Sequence, residues 1–266
     1  MLLFLLSLAA FAEDPQFAGA VLPPAEIPKE NEASLSAELG GTLVTGNADF
    51  YAVNGAVRGE SRWKRNKVSA SALVNIGASK VDTDADGLLS EAERKADYVQ
   101  NLKRYAGEAR YDRFFGQRGS IYALAGAIVD PFAGYDLRSH EQIGYSRLLV
   151  KQEKSQLRAE LGFDVAQENY VEGVDPNRDM IYAGRLLVGL SHKFSDEVSF
   201  SDTFELYENV EQLDDLRMLN TATLSSALSN RLSIKLSHSL VFDNLPVAGY
   251  RKLDQTSMLT LVATIL

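Results

Sequence analysis

The feature that most constrains this chain is a two-residue alternation of apolar and polar side chains that recurs along most of its length. In the segment QLRAELGFDV, Leu157 and Leu161 share one face, while Arg158 lies on the other. Such a period is typical of an extended strand, in which successive side chains point to opposite faces. The same period recurs at 67 to 78 and at 231 to 242. The pattern therefore predicts an all-β chain.

The alternating segments number about twelve, and each spans roughly ten residues, which is the length that a tilted strand needs to cross a bilayer. The predicted strand cores lie at 33 to 45, 50 to 63, 67 to 79, 98 to 114, 120 to 129, 137 to 150, 156 to 169, 180 to 193, 198 to 209, 217 to 228, 232 to 243 and 254 to 266. Two folds fit such a set of strands: a secreted β-sandwich and an antiparallel up-and-down transmembrane β-barrel.

The lengths of the connections distinguish these two folds. One set of connections is short and lies at 64 to 66, 116 to 119, 151 to 156, 195 to 197 and 229 to 231. The alternate set is mostly longer and lies at 80 to 97, 130 to 136, 171 to 179, 210 to 215 and 244 to 253, with 45 to 49 as its short member. Outer-membrane barrels have short periplasmic turns and longer external loops. The pattern therefore favours a barrel in the outer membrane of a Gram-negative cell, with both termini in the periplasm.

The polar faces of the predicted strands carry many charged residues. They include Glu38, Arg58, Glu60, Arg104, Glu108, Arg110, Arg158, Glu160, Asp164, Arg185, Glu205 and Lys235. A soluble core could not bury so many charges, whereas a barrel lumen hydrates or pairs them; a sandwich would instead turn this face to solvent. With about twelve strands the lumen is narrow. It is either a self-paired plug of Arg and Glu or a polar channel. A channel would bind small anionic solutes through Arg58, Arg104, Arg110, Arg158 and Arg185.

The first residues indicate export from the cytoplasm. An apolar run ends in the small-x-small pattern Ala10-Phe11-Ala12, which predicts a signal peptide over residues 1–12. A Pro-rich periplasmic tail over 13–31 then precedes a barrel over 32–266. We expect the tail to be extended and poorly packed, because its four prolines disfavour both helix and sheet.

Composition excludes several other classes of protein. After the first residues no apolar run is long enough to cross a membrane as a helix, so a helical membrane protein is excluded. The chain has no cysteine, which excludes disulfides and thiolate metal sites. Its formal net charge of -9 argues against nucleic acid as a partner, because phosphate binding needs a basic face.

The first predicted hairpin carries a loose motif, Glu-x-Gly, Thr-Gly-Asn, Gly and Trp. The motif residues are Glu38, Gly40, Thr45, Gly46, Asn47, Gly55 and Trp63. This opening resembles the salt-induced outer-membrane proteins of Gram-negative bacteria, a family classed as a domain of unknown function. The resemblance implies an outer-membrane barrel of undefined role and transfers no catalytic residue. The chain departs from such barrels at Leu266, where they usually end in Phe or Trp.

The segment DTDADGLLSEAE, residues 82–93, has the spacing of an EF-hand calcium loop and forms an insertion between two predicted strands. That loop places oxygen ligands at positions 1, 3, 5, 7, 9 and 12, with Gly at position 6. The predicted Ca2+ ligands are Asp82, Asp84, Asp86, the Leu88 carbonyl, Ser90 through water, and Glu93. An unpaired hand predicts weak affinity, with Kd in the range of about 10⁻⁴ to 10⁻³ M that is typical of extracellular modules. The alternative is an acidic, solvated loop without a bound ion.

Ser90 and Glu93 also have the spacing of a capping box, which predicts a short helix after the loop. A structural role for calcium is therefore expected, in which the ion neutralises the carboxylates and stiffens the longest external loop. A switch is not expected, because calcium sensors open a pair of helices.

The histidines do not indicate an enzyme. His140, His192 and His238 are scattered, and no Gly-x-Ser-x-Gly motif is present. The expected function is a structural or envelope-stress role or a narrow small-solute channel. Two alternatives stay open: a calcium-dependent outer-membrane lipid hydrolase that uses His140, and a surface adhesin that binds partners through its long loops. The expected partners are outer-membrane lipid, calcium ion and small anionic solutes, and the expected state is a monomer.

Overall fold

The computed structural model describes residues 31–45, 49–84, 89–116, 118–172, 180–246 and 251–265. The predicted signal peptide and nearly all of the predicted tail therefore lie outside the described residues. Twelve strands form the fold: β1 Glu32–Val44, β2 Phe50–Trp63, β3 Asn66–Ser79, β4 Val99–Phe115, β5 Gly119–Asp130, β6 Tyr135–Lys151, β7 Ser155–Tyr170, β8 Met180–Lys193, β9 Val198–Asn209, β10 Leu216–Ala227, β11 Leu232–Asp243 and β12 Leu253–Thr264. One short helix, α1 Glu91–Lys95, precedes β4, and a single 3-10 turn, Pro131–Ala133, follows β5.

Each strand pairs antiparallel with its neighbour in sequence, and β12 returns to β1, so the sheet closes into a barrel. The predicted all-β, antiparallel up-and-down barrel of about twelve strands is therefore confirmed. The predicted strand bounds agree with the observed bounds to within two residues. The agreement follows from the alternation itself, since each connection interrupts the two-residue period.

The two faces of the barrel wall differ in polarity. Large apolar side chains lie exposed on the outer face, with Leu39 and Leu161 exposed to 66% and 65% of their surface. The inner face carries the charged residues that the alternation placed there, and eight of the twelve are buried: Arg104, Arg110, Arg158, Glu160, Asp164, Arg185, Glu205 and Lys235. The other four, Glu38, Arg58, Glu60 and Glu108, are partly buried. This arrangement reverses that of a soluble protein and matches a barrel surrounded by lipid.

The connections between strands also divide as predicted. Tight turns join β2 to β3 at residues 64–65 and β6 to β7 at 152–154, and β1 begins and β12 ends at the same end of the barrel. The opposite end carries α1 and the other long connections. Within the described residues, no helix has the length and apolar character that crossing a membrane requires.

Closure between β1 and β12 is much shorter than any other strand pairing. Their register extends over four residue pairs, from Ser36 with Thr264 to Leu39 with Leu261. Every other neighbouring pair of strands is in register over eleven or more residue pairs. The paired part lies at the end of the barrel where β1 begins and β12 ends, so the seam is sealed only there.

Candidate functional site

A network of buried charges fills the lumen midway along its length, and we call it the central network: Arg110, Asp112, Tyr122, Arg158, Glu160, Arg185, Glu205 and Tyr207. Its first member, Arg110 on β4, faces the lumen because it alternates with outward-facing residues. Its guanidinium donates two hydrogen bonds to Glu160 on β7, at 2.8 and 3.1 Å, and two to Asp112, both at 2.9 Å. Forked bonds of this kind fix both distance and orientation. Arg110 therefore links two carboxylates that lie on different strands.

Arg185 on β8 extends the central network to the next strands. Its Nη1 donates to Glu160 Oε2 at 3.0 Å and to the Tyr122 hydroxyl at 2.8 Å. Its Nε donates to Glu205 Oε2 at 2.8 Å and to the Tyr207 hydroxyl at 3.1 Å. Glu160 thus accepts from two arginines at once, which joins β4 to β9 across half of the barrel.

Tyr122 on β5 lies at the centre of this network and has no exposed surface. The Arg110 guanidinium stacks over its ring, with 4.1 Å between Cζ and the ring centroid. The ring lies against the backbone of two glycines on the neighbouring strands, Gly144 and Gly162. A Cβ atom on Gly144 would lie 2.5 Å from the Tyr122 hydroxyl oxygen, so only glycine leaves room for the ring at that position.

The central network is balanced in charge and is held together by that balance. Three guanidiniums (Arg110, Arg158, Arg185) face three carboxylates (Asp112, Glu160, Glu205), and all six side chains are buried. Removal of one partner from a buried pair leaves an uncompensated charge and costs about 3–5 kcal/mol. Each member is therefore fixed by the others. The lumen is filled at this level, because Tyr122 and Leu187 also have no exposed surface.

A second group of charges lies nearer the long-loop end of the lumen. Glu168 near the end of β7 accepts from Arg217 at 2.6 Å and lies 3.3 Å from Arg138. The Tyr170 hydroxyl donates to the same carboxylate. Arg217 also lies 3.3 Å from Asp243. Arginines and carboxylates are thus paired at this level as well, so an anion would meet paired guanidiniums along the lumen.

The acidic loop between β3 and β4 brings part of its predicted calcium ligands together. Carboxylate oxygens of Asp82, Asp84 and Glu93 all lie within 4.8 Å of one another. The predicted ligands Asp86 and Leu88 lie outside the described residues. Ser90 is the N-cap of α1 and forms the predicted capping box with Glu93, which is confirmed. Its backbone N–H donates to Glu93 Oε2 at 2.8 Å.

Glu93 is the buried end of this loop. Its Oε1 accepts from both the hydroxyl and the backbone N–H of Thr83, each at 2.6 Å. These bonds from Thr83, together with those from Ser90, lower the pKa of Glu93 to about 2. Glu93 is therefore ionised at neutral pH, and it lies beside the carboxylates of Asp82 and Asp84. Carboxylate oxygens are the ligands that Ca²⁺ prefers. The chemistry of these three carboxylates therefore fits a calcium ion.

Sequence reasoning missed Thr83 as a partner of Glu93. The EF-hand spacing predicts ligands at positions 1 and 3 of the loop, which are Asp82 and Asp84. It predicts no role for Thr83 at position 2. Thr83 contacts Glu93 only because the loop folds back by ten residues, which a spacing pattern does not show. The central network was missed for the same reason, since alternation predicts that residues face the lumen without predicting their partners.

The three histidines lie apart from one another, and each makes a local contact. His140 Nδ1 lies 3.3 Å from Asp164 in the lumen. His192 and His238 lie 2.8 Å from the hydroxyls of Ser155 and Ser257. In the described part of the chain, neither of these two serine–histidine pairs has a carboxylate hydrogen-bonded to the ring. The Ser–His–Asp arrangement of a hydrolase is therefore not assembled among these residues.

A closed barrel with an apolar outer face and a charged, filled lumen defines the fold class of outer-membrane β-barrels. The chain belongs to the family described as "Protein of unknown function, DUF481", whose model matches residues 37–265. The predicted membership of an outer-membrane barrel family of unknown function is thereby confirmed, while the resemblance to the salt-induced proteins stays a prediction. No curated protein matches the chain.

Among solved structures, the NanC porin is similar to this chain in fold. It has 11% sequence identity and a TM-score of 0.52, and the match covers 88% of this chain and 100% of the porin. The COG4313 outer membrane channel from Pseudomonas putida F1 has 14% identity and a TM-score of 0.48, over 92% of this chain and 100% of that one. The KdgM porin has 7% identity and a TM-score of 0.47, over 87% and 99%. The likeness to the NanC porin extends to the fold and no further.

Proposed function

We propose that this protein is an outer-membrane β-barrel whose lumen is a narrow small-solute channel, held closed at mid-height by the central network. The observation that carries the proposal is the contrast between the two faces of the wall. Large apolar side chains are exposed outward, while the buried charges lie inside. Contact with lipid explains the exposed apolar side chains of the outer face. A route for polar solutes explains why so many charges line the inner face.

The closed state follows from how the charges are paired. Glu160 is fully buried between Arg110 and Arg185, and Tyr122 occupies the space beside them. A solute has to displace these side chains to pass. Small anionic solutes are the class that we propose, because arginines outline the route at each level, and an anion competes with a carboxylate for the same guanidinium.

The test is the conductance of the refolded protein in planar bilayers, compared between wild type and Tyr122→Ala. Removal of the ring opens space at mid-height without removing a charge, so we expect conductance to rise severalfold. The matched control is Tyr145→Ala, which removes the same ring from the outer face, where Tyr145 is 41% exposed. Equal conductance in wild type and Tyr122→Ala would contradict the proposal that the network closes the lumen.

We further propose that the acidic loop binds Ca²⁺ and is stiffened by it on the outer surface of the cell. The support is the convergence of Asp82, Asp84 and Glu93 carboxylates within 4.8 Å, which repels unless a cation or proton compensates. Calcium supplies that compensation and takes six to eight oxygen ligands, most of which the loop provides. The role is structural, because α1 is a single short helix.

Calcium titration of the refolded protein in detergent tests this second proposal, with the melting temperature as the readout. We expect wild type to gain stability with a midpoint at about 10⁻⁴ to 10⁻³ M calcium. Glu93→Gln keeps one of the two acceptor oxygens, to which Thr83 and Ser90 donate, but loses a bidentate anionic ligand, so its midpoint moves up by about tenfold or more. Glu91→Gln is the matched control, because Glu91 is exposed on the same helix and pairs with Lys95. No calcium effect in wild type would overturn the proposal.

A further inference from the structure

The short seam between β1 and β12 leaves a gap in the barrel wall. Their register ends at Leu39 and Leu261, although β1 continues to Val44 and β12 begins at Leu253. The unpaired parts of both strands lie in the half of the barrel nearer the long loops. Exposed strand edges of this kind are disfavoured in lipid, because their backbone groups need partners.

A cavity of about 160 Å³ occupies this gap. Its lining includes five consecutive residues of β12, Gln255 to Leu259, together with Gly41 and Thr42 of β1. Consecutive strand residues point alternately inward and outward. A cavity lined by both kinds therefore lies within the wall itself, at the unpaired edges of β1 and β12. We call this cavity the lateral portal.

At its inner end the lateral portal is bordered by Asn75 of β3, a polar side chain that is only 1% exposed. Within the described residues, its Nδ2 has no hydrogen-bond partner. A buried amide donor without an acceptor is strongly disfavoured and is rare in native proteins. Asn54 lies beside Asn75 in the register and lines the same cavity. The inner end thus presents a buried hydrogen-bond donor that a bound acceptor oxygen would satisfy.

The lining of the lateral portal differs from the rest of the lumen in charge. Of the residues that the structure describes, those that line it include no Asp, Glu, Lys or Arg. Its apolar wall comes from Val53, Leu102 and Leu259. Its outer side is mixed, since Gln255 and Ser257 lie on the outward face of β12 together with the exposed Leu259. An uncharged ligand that is polar at one end and apolar at the other matches this lining.

The size of the portal indicates which part of a ligand it holds. About 160 Å³ is less than the roughly 300–1,000 Å³ of pockets that enclose whole ligands. The space suits a small head group whose chain leaves through the seam toward the membrane. We propose that the lateral portal binds uncharged single-chain amphipaths, such as long-chain alcohols, through an oxygen that accepts from Asn75, and passes them between the lumen and the outer leaflet. This inference rests on the proposed membrane placement of the barrel.

The test is photolabelling in phosphatidylcholine vesicles with a diazirine-bearing lauryl alcohol, followed by residue-level mass spectrometry. We expect label at Leu102, which lies inside the lumen beside Asn75, and also at outward residues such as Leu236 and Leu161. Laurate with the same diazirine carries a charge, so we expect it to label the outward residues only. Label at the outward residues tests membrane insertion, and label at Leu102 tests the lateral portal. The experiment can therefore contradict either proposal without contradicting the other.

Asn75→Leu removes the hydrogen-bond donor and replaces it with an apolar side chain of similar size. We expect alcohol label at Leu102 to fall about 3-fold to 10-fold, which is the worth of one hydrogen bond, and outward label to be unchanged. Asn101→Leu is the matched control, because Asn101 is exposed on the outer face of β4 and does not line the cavity. Equal Leu102 label in wild type and Asn75→Leu would overturn the proposal. Absence of outward label would instead contradict the membrane placement.

Closing the seam gives an independent check that does not depend on Asn75. Thr42→Cys and Met258→Cys place one thiol on each side of the cavity, and the natural chain has no cysteine to interfere. We expect a bifunctional methanethiosulfonate to abolish label at Leu102, and reduction to restore it in the same sample. Label that persists after bridging would show that the alcohol enters by another route, which would contradict the lateral portal.

Discussion

At the residue scale, Glu93 is the group whose titration has the clearest consequence. Its pKa falls from 4.5 to about 2, chiefly through hydrogen bonds from Thr83 and then from Ser90. A lowered pKa in the folded loop means that these bonds contribute stability above pH 4.5, and that the contribution is lost as the pH falls toward about 2. Between pH 5 and pH 8 the contribution of these bonds to stability is therefore constant.

We expect the backbone N–H groups of Thr83 and Ser90 to exchange slowly with deuterium at pH 5 and to lose protection as the pH approaches 2. The comparison is made after correction for intrinsic exchange rates. In Glu93→Gln the side chain does not titrate, so protection at these two residues should not change over this range. Protection in wild type that stays constant down to pH 2 would contradict the assigned hydrogen bonds.

A second residue-scale feature is the contact between Tyr122 and Gly144. A Cβ atom at position 144 would lie 2.5 Å from both the Tyr122 hydroxyl oxygen and the Leu161 carbonyl oxygen. We expect Gly144→Ala to lower the free energy of unfolding by about 1–3 kcal/mol, as overpacking does elsewhere. Gly184→Ala is the control, because no atom lies within 4 Å of its added Cβ.

Urea titration followed by gel mobility of unheated samples measures this difference. A folded barrel runs at a different apparent mass from the unfolded chain, so the midpoint of the transition reports stability. The expected order of midpoints is wild type equal to Gly184→Ala, with Gly144→Ala lower. Equal midpoints for both alanine variants would show that Tyr122 moves aside at no cost and does not hold the network in place.

At the element scale, the sequence predicted the bounds of the strands but gave no prediction of how far each pair stays in register. Alternation predicted the bounds of all twelve strands to within two residues, because the two-residue period of polar and apolar side chains is a local property of each strand. The length of the β1 and β12 register depends on how far two distant segments stay side by side, and no local pattern carries that information. The seam and its lateral portal could therefore not be inferred before the fold was known.

The acidic loop shows the same division between local and distant information. Capping boxes depend on residues three apart, so the helix that Ser90 and Glu93 predicted is present as α1. The contact between Thr83 and Glu93 spans ten residues and escaped the pattern. Motif spacing thus predicts a ligand set for such a loop but not the hydrogen bonds that orient these side chains.

At the scale of the whole molecule, the inward charges were predicted and their pairing was not. A polar face with Arg110, Glu160 and Arg185 follows from alternation alone, whereas the bonds among them join β4, β7 and β8. Whether the lumen is a plug or a channel therefore stayed open in the sequence. In the structure the charges are paired and buried, which is why we propose a closed channel that opens by displacing Tyr122.

The proposed function depends most on the placement of the barrel: we propose that it spans the outer membrane with its long loops outside and its tight turns in the periplasm. Single cysteines test it directly, because the natural chain has none. Asp97→Cys lies in the exposed connection before β4, and Glu153→Cys lies in the tight turn after β6. We expect a membrane-impermeant maleimide to label Asp97→Cys in intact cells, and Glu153→Cys only after the outer membrane is permeabilised. Equal labelling of the two variants in intact cells, or the reverse order, would contradict this placement of the barrel in the membrane.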